Sequence, residues 1–214
     1  MSAVYFTSDS HFLHRMVAEL RGFASSEEHD EAVIERWNQL VRPDDLVWHL
    51  GDVGLGNETR VLEQAARLNG RKQLITGNHD PCWPGHRDSR KHQRKWLEVF
   101  ESVQAFARIK LDGRTVLLSH FPRTGDHAEV DRCDQFRLRS GADPVLHGHT
   151  HSQERGGGDQ VHAGLDAWDL RPVSEADILG VIREHEAATD PDAAAETARK
   201  RLAEIRTAYD PAPR

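Results

Sequence analysis

Five short apolar runs each give way, at the C-terminal end, to histidine, aspartate or asparagine, and no other feature of the sequence restricts the fold as tightly. The runs are Val4 to Thr7, Leu46 to Leu50, Gln73 to Thr76, Thr115 to Ser119 and Val145 to His147, each with the composition of a buried strand. Asp9 and His11 follow the first, Gly51-Asp52 the second, Asn78-His79 the third, His120 the fourth, and His149 and His151 the fifth. A core cannot hold such side chains unpaired. One polar strand end is a turn, and Gly77, Asn78 and Asp80-Pro81 have turn chemistry of their own. Five in order call for a fold that gathers strand ends, and an α/β architecture does so because the carboxyl ends of its strands converge on one crevice.

Helical spacing between the runs agrees with that class. Val33, Ile34, Trp37, Leu40 and Val41 form one apolar stripe, and Val61, Leu62, Ala65, Ala66 and Leu68 form another that Asn69-Gly70 ends. Both stripes read as core and not as cofactor sites. Gly156-Gly157-Gly158 reads as a flexible turn, and residues 160 to 168, QVHAGLDAW, as a further strand leading to a bend at Pro172. Ser174 with Asp177 starts one C-terminal helix, and Asp190-Pro191 starts another over roughly Asp192 to Tyr209, with a thin apolar face of Ala198, Leu202 and Ile205. The expected organisation is a main domain over residues 1–187 and a peripheral C-terminal helix and tail over 188–214.

With 37% hydrophobic and 29% charged residues the composition is that of a globular protein. No segment approaches the roughly 18 apolar residues of a membrane span and no leader precedes the first run, so the expectation is a cytoplasmic protein with no membrane contact and no obligate protein partner. Cys82 and Cys133 are too few for a disulfide framework and lack Cys-x-x-Cys spacing, which leaves them as free thiols. The net charge of -7 argues against broad adhesion to nucleic acid, although acidic residues gathered round cations would exaggerate that count.

Of the 14 histidines, those at strand ends carry the chemistry. Asp9, His11, Asp52, Asn78, His120, His149 and His151 make a mixed oxygen and nitrogen set that suits manganese first, with iron or zinc as alternatives, and holds too much imidazole for calcium or magnesium. That number exceeds the about four to six ligands one ion keeps. It fits two divalent ions that share a carboxylate, for which Asp52 is the choice. Gly51, Gly77 and Gly148 would let the backbone turn tightly beside them, although a plain turn explains each singly.

The blocks DSH (9 to 11), GDVG (51 to 54), GNHD (77 to 80), SH (119 to 120) and GHTH (148 to 151), in this order, resemble the five signature blocks of the calcineurin-like metallophosphoesterases over roughly residues 3 to 175. The resemblance implies a four-layer α/β/β/α double-sheet sandwich followed by the C-terminal helices. It also implies one ion held by Asp9, His11, Asp52 and His151 and another by Asp52, Asn78, His120 and His149. His79 would bind neither; it would give a proton to the leaving oxygen, or orient the phosphate, while a metal-bound hydroxide attacks in line. Two departures weaken a protein-phosphatase reading: GDVGLGN lacks an arginine, and Asp80 stands where those enzymes have glutamate. The small size and the GLDAWDLRPVS segment (164 to 174) resemble small bacterial and phage phosphoesterases. The expected substrate is therefore a small phosphodiester, a nucleotide, cyclic nucleotide or short RNA. A broad phosphomonoesterase or a noncatalytic metal-bound scaffold is the alternative.

Three further features carry weaker expectations. His14, one turn after His11, and Arg123, shortly after His120, are candidate substrate contacts. Residues 86 to 96, HRDSRKHQRKW, are either a solvated helix face or a basic strip that borders the crevice and attracts a polyanion.

Overall fold

Alternation along β1 (Val4–Thr7) sets the two sides of a sheet: Tyr5 turns out toward helices and Phe6 turns in toward a second sheet. The computed structural model describes residues 2–126 and 128–189. In chain order α1 (Arg15–Leu20), α2 (Ser26–Leu40), β2 (Leu46–His49), α3 (Glu58–Ala66), β3 (Arg71–Ile75), α4 (Ser89–Trp96) and β4 (Ser102–Gln104) follow β1. Next come β5 (Phe106–Leu111), β6 (Arg114–Ser119), β7 (Val145–His147), β8 (Gly156–Gly157), β9 (Gln160–His162), β10 (Val173–Ser174) and α5 (Glu175–Thr189).

The first sheet has the order β10-β1-β2-β3-β4, with β1 to β4 parallel and β10 antiparallel at the edge. The second has the order β5-β6-β7-β9-β8, in which β6, β7 and β9 are parallel and the outer strands antiparallel. Parallel strands need crossovers, and α2 and α3 supply them on the outer face of the first sheet. There Val33, Ile34 and Trp37 of α2, Val61, Leu62 and Ala65 of α3, and Trp96 of α4 close over Val47 and Leu74. The inner core joins Phe6, Leu50 and Ile75 to Val116, Leu118, Leu146 and Val161. Helix α5 adds Ile178, Leu179 and Ile182 to that core and touches β1 and β10 of one sheet and β8 and β9 of the other. The expected double-sheet sandwich is the fold.

Start signals act locally as their chemistry requires. Ser25 Oγ accepts the Glu28 N–H at the start of α2, Asn57 Oδ1 that of Arg60 before α3, and Ser174 Oγ that of Asp177 in α5. Three expectations need correction. Leu40 and Ala66 face solvent, because each sits on the outward side of its helix's last turn. The triple glycine is not simply a turn: Gly156 and Gly157 pair with Val161 and Gln160. The strand over 160–168 stops at His162, because the chain then crosses between sheets: Leu165 N–H donates to the Ser8 carbonyl, and Leu165–Ala167 form a 3₁₀ turn. The division expected at residue 187 falls inside α5, and the second C-terminal helix lies outside the described residues. Among the described residues no helix is long and apolar enough to cross a membrane.

Candidate metal centre

β1, β2 and β3 of one sheet and β6 and β7 of the other end at a common edge, where their loops bond to one another. Asp9 N–H donates to the Gly51 carbonyl (2.9 Å), His11 N–H to that of Asp52 (3.1 Å) and Gly148 N–H to that of His120 (3.0 Å). The Asp9 carboxylate accepts the His149 N–H (3.1 Å) and the Ser8 hydroxyl (2.5 Å), which ties the last loop to the first. Asp9, His11, Asp52, His149 and His151 all adopt left-handed backbone, with φ between 47° and 72°. For non-glycine residues such conformations cost roughly 1–3 kcal/mol each, and they persist where surrounding structure forces them. Glycine is required where these loops cross: a Cβ on Gly77 would lie 2.2 Å from Asp52 Oδ1, and one on Gly148 2.3 Å from Ser8 Oγ.

All seven residues expected as ligands lie at this edge, and six fall into two groups of metal-ligand spacing: Asp9, His11 and His151, and Asp52, His120 and His149. In the first, His11 Nε2 lies 3.1 Å from His151 Nε2 and 3.8 Å from Asp9 Oδ1. In the second, His120 Nε2 lies 3.4 Å from Asp52 Oδ2 and 3.2 Å from Asn78 Oδ1. Asp52 Oδ2 is also 3.7 Å from His11 Nε2, so this carboxylate stands between the groups. The donor set fits divalent cations. The His11 and His151 Nε2 atoms, 3.1 Å apart beside buried carboxylates and able to share one N–H, are also placed so that a single cation could take both as ligands.

Protonation agrees. Burial pushes His11 well below the ordinary histidine value despite Asp52 and Asp9, and pushes His149 down to about 4, which leaves both rings neutral as ligation requires. Burial alone would raise the Asp9 and Asp52 carboxyls, but the surrounding histidines outweigh it and hold both below the usual carboxylate range. His120 moves the other way, to about 9, because Asp52 overcomes burial.

Residues 3–163 match the calcineurin-like phosphoesterase superfamily domain. The chain belongs to that superfamily. Its metal dependence accords with the two ligand groups. The chain is 41% identical over 201 residues to the gene 66 protein of Mycobacterium phage L5, covering 85% of this chain and 95% of that one. It is 43% identical over 188 residues to the gene 66 protein of phage D29, covering 82% and 94%. A solved structure from Aquifex aeolicus superposes with a TM-score of 0.64 at 24% identity, over 85% of this chain and 100% of that one, and so shares the fold.

Around the ligands the chain builds supports that sequence reading missed. His151 Nδ1 lies 3.0 Å from Asp166 Oδ2, and Arg21 clamps Asp166 through two hydrogen bonds of 2.8 Å. Arg21 also donates to the Asp9 carbonyl (2.8 Å) and faces His29 Nε2 (2.9 Å). His149 Nε2 lies 2.9 Å from Asp126 Oδ2, which is in turn paired with Arg132 and Arg137. Burial would raise both carboxyls, but Arg21 on Asp166 and Arg132 on Asp126 hold each well below the usual range. Asp80 accepts the N–H groups of Gly77 (2.7 Å), Val53 (2.9 Å) and Asp52 (3.0 Å), locking two signature loops together. Burial and the Asp52 charge push its carboxyl up to about 7. No local pattern in the sequence marks Asp166 or Asp126, since Asp166 meets Arg21 across 145 positions and Asp126 meets His149 across 23.

The remaining candidates separate. His79 Nε2 lies 3.9 Å from Asp52 Oδ2, its ring is about one-third exposed (34%), and its N–H donates to Asp52 Oδ1 (2.9 Å). His14 caps α1 and sets its ring against those of His11 and His79, at 5.2 and 6.1 Å between centroids. Arg123 does not face the crevice: its guanidinium is buried, donating to the carbonyls of Arg139 (3.1 Å) and Asp143 (2.7 Å) beside Asp159. It braces a loop, which corrects its reading as a phosphate contact. In α4, Lys95 and His92 turn back to Glu58, whereas Arg90 and Arg94 face solvent and make no ion pair among the described residues.

Proposed function

We propose that this phosphoesterase is a binuclear phosphodiesterase acting on small nucleotide or cyclic-nucleotide esters. The observation that carries the reading is one carboxylate oxygen, Asp52 Oδ2, with Nε2 of His120, His11 and His79 at 3.4, 3.7 and 3.9 Å. Asp9, His11, His151 and Asp52 would hold one divalent ion and Asp52, Asn78, His120 and His149 the other, manganese first and iron or zinc next. When bound, the ions supply Lewis acidity toward the phosphoryl oxygens and the attacking water. His79 donates from its ring to the leaving oxygen; its backbone bond to Asp52 fixes it against the shared ligand, and its exposed edge meets substrate. His14 sets its ring edge-on to that of His79, 6.1 Å between centroids, and is a second candidate contact for substrate. Asp166 and Asp126 hold the His151 and His149 rings in the orientation ligation needs. We assign catalysis to residues 1–187, and a cytoplasmic setting fits the two free thiols.

The test is metal content after reconstitution with manganese, iron or zinc, together with hydrolysis of p-nitrophenyl phosphate and bis-p-nitrophenyl phosphate. Two ions per chain and faster diester turnover are expected. Faster monoester turnover would make the protein a phosphomonoesterase. An intact protein with neither metal nor turnover would make it a scaffold.

A further inference from the structure

Next to the second ligand group lies a pocket of about 280 Å³ that takes no part in holding the ligands. Its walls are aromatic: Trp83, Phe106, Phe121 and Phe136, with Pro84 and Leu138. Phe121 is the partition. Its ring lies 4.9 Å from those of His120 and His149 and 5.6 Å from that of Trp83, and Trp83 lies 4.7 Å from Phe136. Trp83 is tied to the ligand loop as well, since its ring packs on His86, whose Nε2 lies 2.9 Å from the Asn78 carbonyl.

Exposure divides the four rings. Phe121 and Trp83 are buried, whereas Phe136 is 39% and Phe106 59% exposed. Neither Phe136 nor Phe106 belongs to either apolar core, and both line the pocket. The charge in the wall is already spent: Arg137 is bound to Asp126 and to the Pro122 and Gly125 carbonyls. Among the described residues of the wall a second phosphate therefore finds no free cation, and a planar uncharged group finds stacking surfaces. The volume sits just below the roughly 300–1,000 Å³ of small-molecule pockets, enough for one ring system and too little for an extended chain. Gln135, at the rim, offers an amide to a polar ring edge.

From these observations we infer that the pocket receives the nucleobase of the substrate, stacked against Phe136 and Phe106, while its phosphate lies beyond Phe121 at the ligand groups. This rests on the nucleotide reading above and deepens it. The connection between β6 and β7 supplies Phe121 and Phe136 to the pocket and Asp126 to His149, so one loop serves base and phosphate together.

The test compares two esters with the same p-nitrophenol leaving group, thymidine 5′-monophosphate p-nitrophenyl ester and methyl p-nitrophenyl phosphate, on metal-loaded protein. Phe136→Ala and Phe106→Ala change exposed rings and leave the ligands alone. Each should raise KM for the thymidine ester about 10- to 100-fold and leave the methyl ester unchanged. Equal KM values for both esters, in wild type and variants, would overturn the pocket while the hydrolase reading stands. Equilibrium dialysis of thymidine 5′-monophosphate against the metal-loaded protein separates the two in the other direction. Saturable binding that Phe136→Ala weakens, with neither ester hydrolysed, would keep the pocket and remove the hydrolase reading. No saturable binding and no hydrolysis would remove both.

Discussion

The two halves of the metal centre are held by different kinds of structure. His151 is braced by Asp166 and Arg21, and Arg21 reaches His29, which bonds Asp30, which in turn holds the Leu13 N–H. That chain of contacts is buried and joins the first 30 residues to the segment after β9. His149 is braced by Asp126, whose partners Arg132 and Arg137 come from the same β6–β7 connection. One half is thus part of the scaffold. The other exists when a loop has closed on itself, and loops open more readily than cores.

The largest effect expected tests what the halves share. Asp52→Ala removes the carboxylate between them, so metal content measured by elemental analysis and diester turnover should both collapse. Loss of a single ion with the other retained would show that Asp52 belongs to one half. Next, His79→Ala should lower the rate by about 10²- to 10⁴-fold, the usual worth of general acid catalysis, with metal content kept. A His79→Ala protein as metal-poor as Asp52→Ala would make His79 a ligand.

Asp166→Asn and Asp126→Asn sharpen the contrast directly. Each should weaken metal binding about 10- to 100-fold, the usual cost of losing a carboxylate behind a histidine ligand. Asp166→Asn should also lower Tm further than Asp126→Asn, because it removes the carboxylate charge facing the buried Arg21 guanidinium, whereas Arg137 keeps Asp131 and Asp134 of its own loop as further ion-pair partners. The reverse order of Tm values would break the scaffold-and-loop distinction.

Acid should act, without the ions, on histidines buried at the strand ends beneath the centre. Burial pushes His49, which lies under Ser10, down to about 4, and His147 down to about 3. Between about pH 6.5 and 4 the unfolded chain takes up protons that these folded histidines refuse, so stability falls as pH falls. Above about 6.5 neither state is protonated and the contribution is flat. Urea midpoints of metal-free protein across that window check the sign; His49→Gln should flatten part of the slope. The smallest effect belongs to α4: changing Arg90, Lys91 and Arg94 to Gln should raise KM for a dinucleotide a few-fold at low salt and little at high salt. No salt dependence would leave the strip a solvated face.

What the sequence showed and what it hid follows from the range of each interaction. β1 and β7 are legible to the residue because short apolar runs with abrupt polar ends mark both boundaries. β5 was missed because Arg108 and Lys110 alternate outward and blur its run, although Asp112-Gly113, at φ 47° and 79°, forms the tight turn to β6. The seven strand-end residues meet because strand ends meet, a property of the fold class. Asp166, Arg21 and Asp126 stayed hidden: a carboxylate bonded to an arginine 145 positions away leaves no local pattern. The aromatic pocket was hidden for the same reason, since Trp83, Phe106, Phe121 and Phe136 become neighbours only when loops from both sheets close.

The left-handed backbone at five of the strand-end residues sets robustness against chemistry in this protein. Relaxing any of them with glycine would delete the side chain for which the strain is tolerated, and at Asp9 and Asp52 also the acceptors that join the loops. The strain is thus held in place by the chemistry it serves, and a descendant could shed it only by giving up its reactivity.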